Sequence, residues 1–91
     1  MARYKIIFKP AAQRDFGKLQ RPVQKRIASK IEALASDPRP SGSLKLQGAA
    51  DIYRVRVGSY RILYAVGDTE RLVVIARIKH RGDVYENLPW E

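Results

Sequence analysis

The spacing of apolar residues changes once along this chain, and the change limits the folds that it can adopt. Between residues 10 and 36 apolar residues recur at helical spacing, whereas from Leu44 onward they alternate with polar residues. Residues 37–42 (DPRPSG) separate the two patterns, because prolines at this density end a helix. The sequence therefore predicts an α+β fold, with helices in the first half and antiparallel strands in the second.

The first half is expected to hold one strand and two helices. Residues 4–8 (YKIIF) are rich in strand-forming side chains, and Pro10 follows where proline suits the first turn of a helix. The spacing predicts a first helix over about residues 10–20 and a second that begins near Pro22. Since residues 37–42 end this second helix, the two are expected to form a hairpin.

Three strands are predicted in the second half. In residues 52–57 (IYRVRV), Tyr53, Val55 and Val57 lie on one face and Arg54 and Arg56 on the other. Gly58-Ser59 is typical of a two-residue hairpin loop before residues 60–66. A third, more apolar strand is predicted over residues 72–79. Sequential strands usually pair with one another, so the expected sheet is a three-stranded antiparallel meander.

Length and charge define the class of protein. The chain has 91 residues, with 18 lysines and arginines against 9 acidic residues and a formal net charge of +9. This length predicts one domain over residues 1–91, and the charge favours an anionic partner such as nucleic acid or an acidic protein. No apolar run approaches the roughly 20 residues that span a bilayer, and no signal-peptide pattern is found, so a cytoplasmic protein without membrane contact is expected.

The residue inventory excludes several kinds of chemistry. There is no cysteine and a single histidine, so disulfides, thiolate zinc sites and histidine metal clusters are excluded, and no metal or cofactor is expected. No paired carboxylates, nucleophile elbow or phosphate-binding glycine loop is present. One reaction that cations around a phosphate can support is RNA cleavage by its own 2′-hydroxyl, which needs positive charge, a base and an acid.

A cluster of arginines is predicted on one face of the sheet. If Gly58-Ser59 forms a two-residue loop, Arg56 lies directly opposite Arg61, and Arg54 lies on the same face. Opposed like charges destabilise a strand pair, whereas guanidinium groups match phosphate oxygens well. A solvated sheet face is the plain alternative, but the clustering favours a phosphate-binding site.

The end of the third strand adds further candidates. Arg77, Lys79, His80 and Arg81 lie within five residues, and Tyr85 follows. His80 is the one side chain with an unperturbed pKa near neutrality and is the candidate general acid or base, although a lone histidine is more often structural. Tyr85 is a candidate for stacking on a base or for packing. The register across the preceding turn is not fixed by the sequence, so the residue that joins the arginines stays open.

These motifs resemble the RelE branch of the RelE/ParE toxins. The resemblance is carried by residues 44–66 (LKLQGAADIYRVRVGSYRILYAV) and 73–85 (VVIARIKHRGDVY), and the upstream elements fit as well. It implies a RelE-like microbial RNase fold and the toxin of a type II toxin–antitoxin pair. The implied activity is a ribosome-dependent mRNA endonuclease, whose partners are the ribosome, mRNA and a neutralising RelB-like antitoxin.

The resemblance also implies which residues form the site. The positions that match the family's basic residues and its C-terminal tyrosine are Arg54, Arg56, Arg61, Lys79, Arg81 and Tyr85. The best-characterised type has lysines at positions 54 and 56, and arginine is a poor general base. His80 is therefore the candidate base here. A ParE-like inhibitor of DNA gyrase and an inactive homologue remain the alternatives.

Overall fold

The computed structural model describes residues 3–46 and 52–81, and its element order confirms the predicted α+β fold. The first helix ends earlier than predicted, at Gly17, and the last strand extends one residue further, to His80. The elements are β1 (Lys5–Phe8), α1 (Pro10–Gly17), α2 (Arg21–Ser36), β2 (Leu44–Lys45), β3 (Ile52–Val57), β4 (Tyr60–Gly67) and β5 (Leu72–His80).

The strands form one five-stranded sheet in the order β1-β5-β4-β3-β2. The antiparallel meander of β3, β4 and β5 is confirmed. Two further strands extend it. The predicted N-terminal strand β1 pairs in parallel with β5, and the short strand β2, which was not predicted, pairs with β3. The parallel pairing requires the chain to cross over the sheet, and α1 and α2 make that crossing.

The two helices cover one face of the sheet and form the core with it. Ile27, Ile31 and Leu34 of α2 are buried, as the helical spacing predicted. Because side chains alternate along a strand, the burial of Val55 places Arg54 and Arg56 on the opposite face of β3. The sheet residues of this core are Val55, Ile62, Tyr64, Val66, Val73, Ile75 and Ile78.

A β-bulge in β5 reverses the faces of the last residues of that strand. Tyr64 pairs with Ile75 and Leu63 with Arg77, so Ala76 is an extra residue with no counterpart on β4. Strict alternation from Ile75 would place Arg77 on the core face. The extra residue instead places Ile78 in the core and puts Arg77 and Lys79 on the opposite face of the sheet, the face of Arg56. Bulges commonly redirect side chains in this way near functional sites.

An ion pair fastens the loop after α2 to the turn between β4 and β5. Arg39 donates hydrogen bonds from Nη1 and Nη2 to Asp68 at 3.1 and 2.7 Å, and from Nε to the Tyr53 hydroxyl at 2.8 Å. Hydrogen bonds from Arg39 and Tyr4 hold the pKa of Asp68 below its ordinary value. This contact lies at the other end of β4 from Arg61.

Candidate phosphate-binding site

Three basic side chains form a row across the open face of the sheet. Arg56 pairs with Arg61, as predicted, and Arg61 pairs in turn with Lys79 on β5. The sequence left this last pairing open, and the bulge at Ala76 decides it. Like charges opposed across strands cost up to about 1 kcal/mol per pair, so this row favours the binding of an anion.

A small hollow of about 70 Å³ lies at the end of this row beside the turn between β3 and β4. The backbone N–H of Arg81 donates to the Ser59 carbonyl at 2.7 Å, which holds Arg81 beside this turn. Gly58 has a φ of 59°, a conformation that favours glycine and allows the tight turn. The residues that line the hollow are Arg56, Gly58, Ser59, Tyr60, Arg61 and Arg81.

The cations of the hollow differ in burial. Arg56 and Arg81 are exposed, whereas Arg61 is half-buried and its Nε atom is shielded from solvent. Within residues 3–46 and 52–81, neither Arg56 nor Arg81 forms a salt bridge. Two exposed side chains and one half-buried guanidinium are thus available to a phosphate group, and Arg61, the least exposed of the three, is the best positioned to fix its place.

Arg54 lies on the same face as this row but two residues further along β3. It pairs with Leu63 on one side and with Leu44 of β2 on the other. Arg54 is half-buried and does not line the hollow. The predicted arginine cluster is therefore present on one face, with Arg54 at its margin.

Arg77 is held in an ion pair on the side of α1. Its Nε and Nη2 atoms donate to the Asp15 carboxylate at 2.8 and 3.1 Å, and the Ile78 N–H donates to the same carboxylate at 2.9 Å. Burial raises the pKa of Asp15, but the hydrogen bonds from Arg77 and Ile78 outweigh it, so the pKa lies below its ordinary value. Asp15 thus fixes α1 to β5 directly after the bulge, beside Lys79.

His80 lies on the other face of β5 from the basic row. It pairs with Tyr60, and the two rings meet edge to face with 5.1 Å between their centroids. Tyr60 packs against the core, so the histidine ring is on the core side of the sheet edge. The structure brings Arg56, Arg61, Lys79 and Arg81 together and leaves His80 outside this group.

Tyr85 lies outside the described residues. Among the residues that are described, no group of three or more His, Asp or Glu side chains is placed to bind a metal ion. Of the helices described, neither has the length and apolar composition needed to cross a membrane. Sequence reasoning missed Ser59, whose carbonyl positions Arg81, because no side-chain pattern marks a backbone contact.

Comparison with known proteins identifies the family. The sequence model of the family described as the ParE toxin of type II toxin–antitoxin systems matches residues 6–85 of this chain. The toxin RelG of Mycobacterium tuberculosis is 33% identical over 86 residues, which is 90% of this chain and 95% of that protein. The chain therefore belongs to the RelE/ParE family of toxins of type II toxin–antitoxin systems, as its motifs indicated.

Solved structures agree with this assignment. The toxin–antitoxin complex RelBE2 of M. tuberculosis matches with a TM-score of 0.79 and 30% identity, covering 91% of this chain and 97% of that chain. The archaeal RelE–RelB complex of Pyrococcus horikoshii matches with a TM-score of 0.78 and 26% identity, covering 89% and 98%. RelG and both of these complexes carry Rel names, which places the chain with RelE-like toxins.

Proposed function

We propose that this toxin is a ribosome-dependent mRNA endonuclease that acts without a metal ion. The observation that carries the proposal is the hollow at Arg61, where cations from β3, from β4 and from the chain after β5 come together, with Lys79 of β5 paired to Arg61 beside it. The residues proposed to act on the RNA are Arg54, Arg56, Arg61, Lys79, Arg81 and, outside the described residues, Tyr85.

The arrangement suits cleavage by the 2′-hydroxyl of the RNA itself. The 2′-hydroxyl loses its proton to solvent water as its oxygen attacks the adjacent phosphorus, the bond from phosphorus to the 5′-oxygen breaks, and the 5′-oxygen takes up a proton. The products are a 2′,3′-cyclic phosphate and a 5′-hydroxyl. Negative charge accumulates on the phosphorane oxygens, and preorganised cations stabilise that charge more than the charge of the ground state. Arg61 is proposed to hold the phosphate, with Arg56 and Arg81 closing on it.

Proton transfer is a separate requirement. A guanidinium does not give up its proton at neutral pH, so the arginines stabilise charge and do not act as bases. Lys79 is the one cation of the basic row that is not an arginine. We assign it donation of a proton to the leaving 5′-oxygen, because it lies directly beside Arg61.

The variant His80→Gln tests whether catalysis depends on a histidine base. We expect His80→Gln to reduce the rate of cleavage less than about tenfold, because the ring lies on the face away from the basic row. Loss of a general base typically costs about 10²–10⁴-fold. Single-turnover cleavage measured from pH 6 to 8 decides the matter, and a loss of about 100-fold or more would assign the base to His80.

A RelB-like antitoxin is the proposed protein partner. The net charge of +9 favours an acidic segment, and the solved relatives named above are complexes of toxin with antitoxin. An antitoxin segment lying over the basic row would prevent these side chains from contacting the mRNA. Adding such an antitoxin is expected to stop cleavage at equal molar amounts.

The decisive experiment compares cleavage with gyrase inhibition. Primer extension on a defined message in translating ribosomes is expected to show discrete cuts within codons when the toxin is added. Inhibition of DNA supercoiling with an intact message would instead favour the ParE-like alternative. If the protein neither cleaves the message nor inhibits supercoiling, and its expression does not arrest growth, the result would favour an inactive homologue.

A further inference from the structure

A second hollow, of about 400 Å³ and open to solvent, lies between α2 and the edge of β3. It is next to the part of the strand that β2 leaves uncovered, because β2 pairs only with Tyr53 and Arg54. The residues that line it are Arg26, Ser29, Lys30 and Ala33 of α2 with Arg56 and Val57 of β3.

The two hollows border each other at a single shared residue. Arg56 lines both of them. A Cβ atom built on Gly58 would lie 3.7 Å from Nη1 of Arg26, so this guanidinium reaches from α2 to the turn that borders the first hollow. A flexible anion bound at Arg61 therefore has a path over Arg56 to α2.

The second hollow combines features that suit a nucleotide. Its cations are Arg26, Lys30 and Arg56, and none of these three forms a salt bridge with another described residue. Ala33 and Val57 add apolar surface between them, on which the face of a base or a ribose can lie. No acidic residue lines the hollow among the residues described. An acidic peptide would also be attracted, but Arg56 lines both hollows and Arg26 reaches the turn that borders the first, which favours the same polyanion in both.

We propose that Arg26 and Lys30 bind the RNA backbone next to the nucleotide that is cut, as a second phosphate-binding subsite. The proposal rests on the proposed function, since it assumes that the RNA phosphate to be cleaved lies at Arg61. It assigns α2 a role in positioning the message. In this arrangement Arg56 bridges the two subsites.

The helix itself offers a matched control for a test. Arg26→Ala with Lys30→Ala removes one arginine and one lysine from the hollow, and Arg21→Ala with Lys25→Ala removes the same pair from exposed positions of α2 that do not line it. The probes are a dinucleotide and a hexanucleotide of RNA, both 2′-O-methylated so that neither can be cleaved. Binding is measured by fluorescence anisotropy as a function of salt concentration.

The first double variant is expected to bind the hexanucleotide at least about tenfold more weakly and to bind the dinucleotide as wild type does. The dependence of its hexanucleotide affinity on salt should fall by about 0.7 in log–log slope for each phosphate that the variant no longer neutralises. The control pair should leave the affinity for both RNAs within about twofold. Thermal unfolding of all three proteins checks that each is folded.

Several results would overturn the subsite. If both double variants weaken hexanucleotide binding equally, the effect comes from overall charge and not from a subsite. If Arg26→Ala with Lys30→Ala leaves hexanucleotide binding unchanged, the proposal is wrong. Loss of antitoxin binding with RNA binding intact would make the hollow a protein-binding surface instead. Because the probes are not cleaved, these outcomes are separate from the endonuclease proposal, which fails when wild-type toxin leaves a ribosome-bound message intact.

Discussion

Replacing Arg61 by alanine is expected to reduce cleavage of a ribosome-bound message by at least about 100-fold, the loss typical of one preorganised donor to a developing anion. Arg61 is the central member of the basic row, with Arg56 on one side and Lys79 on the other. It is also the member whose Nε atom is buried. The measurement is the single-turnover rate of cleavage by primer extension in translating ribosomes.

Two further variants separate the chemistry of Arg61 from its packing. Arg61→Met keeps most of the aliphatic stem and should lose as much activity as the alanine variant, because the guanidinium is what the phosphate requires. Arg61→Lys keeps the charge without the fork of donors and should be intermediate. Arg14→Ala, an exposed arginine on α1, controls for overall charge. Near-wild-type rates for the methionine variant would exclude Arg61 from the site.

Replacing Asp15 by asparagine is expected to lower the free energy of unfolding by about 2 kcal/mol at neutral pH, because it leaves a half-buried arginine without its carboxylate. Asp15 accepts three hydrogen bonds, from Arg77 Nε, Arg77 Nη2 and the Ile78 N–H. Its side chain is 14% exposed and that of Arg77 24%, so solvent screens the pair weakly. In a domain of this size the loss corresponds to roughly 8–16 °C in the unfolding temperature.

The matched control for this variant is Glu32→Gln, which makes the same chemical change in an exposed pair. Arg3 and Glu32 are 55% and 75% exposed, and such pairs contribute less than about 1 kcal/mol. Chemical denaturation of both variants at pH 7 tests the comparison. If both variants lose the same free energy of unfolding, the ion pair between α1 and β5 contributes no more to stability than an exposed ion pair does.

The effect of Asp15 should depend on pH in a defined direction. Its pKa in the folded protein lies below the ordinary value, so its stabilising contribution is complete above the unfolded pKa of about 3.9. The contribution is lost as pH falls through the lower, folded pKa. Denaturation curves between pH 3 and pH 7 should therefore show wild type and Asp15→Asn converging below about pH 4, whereas a constant difference would contradict this assignment.

The local pattern of the sequence was sufficient for most of the elements. Prolines and helical spacing located α1 and α2, and the alternation from Tyr53 to Val57 located β3, because these signals depend on neighbouring residues alone. The same local reasoning placed Arg56 opposite Arg61, since a two-residue loop fixes the register of a hairpin. It did not find β2, because a strand of two residues has too short a pattern to be recognised.

What the sequence by itself determined is therefore the α+β order, the hairpin and the pair of opposed arginines. The tertiary structure alone decided which residues of β5 join that pair. The bulge at Ala76 turns Lys79 towards Arg61 and places His80 beside Tyr60, and no local pattern marks an extra residue within an apolar strand. The pairing of β1 with β5 and the approach of Arg26 to Gly58 likewise join residues distant in the chain, so only packing against the shared core fixes them.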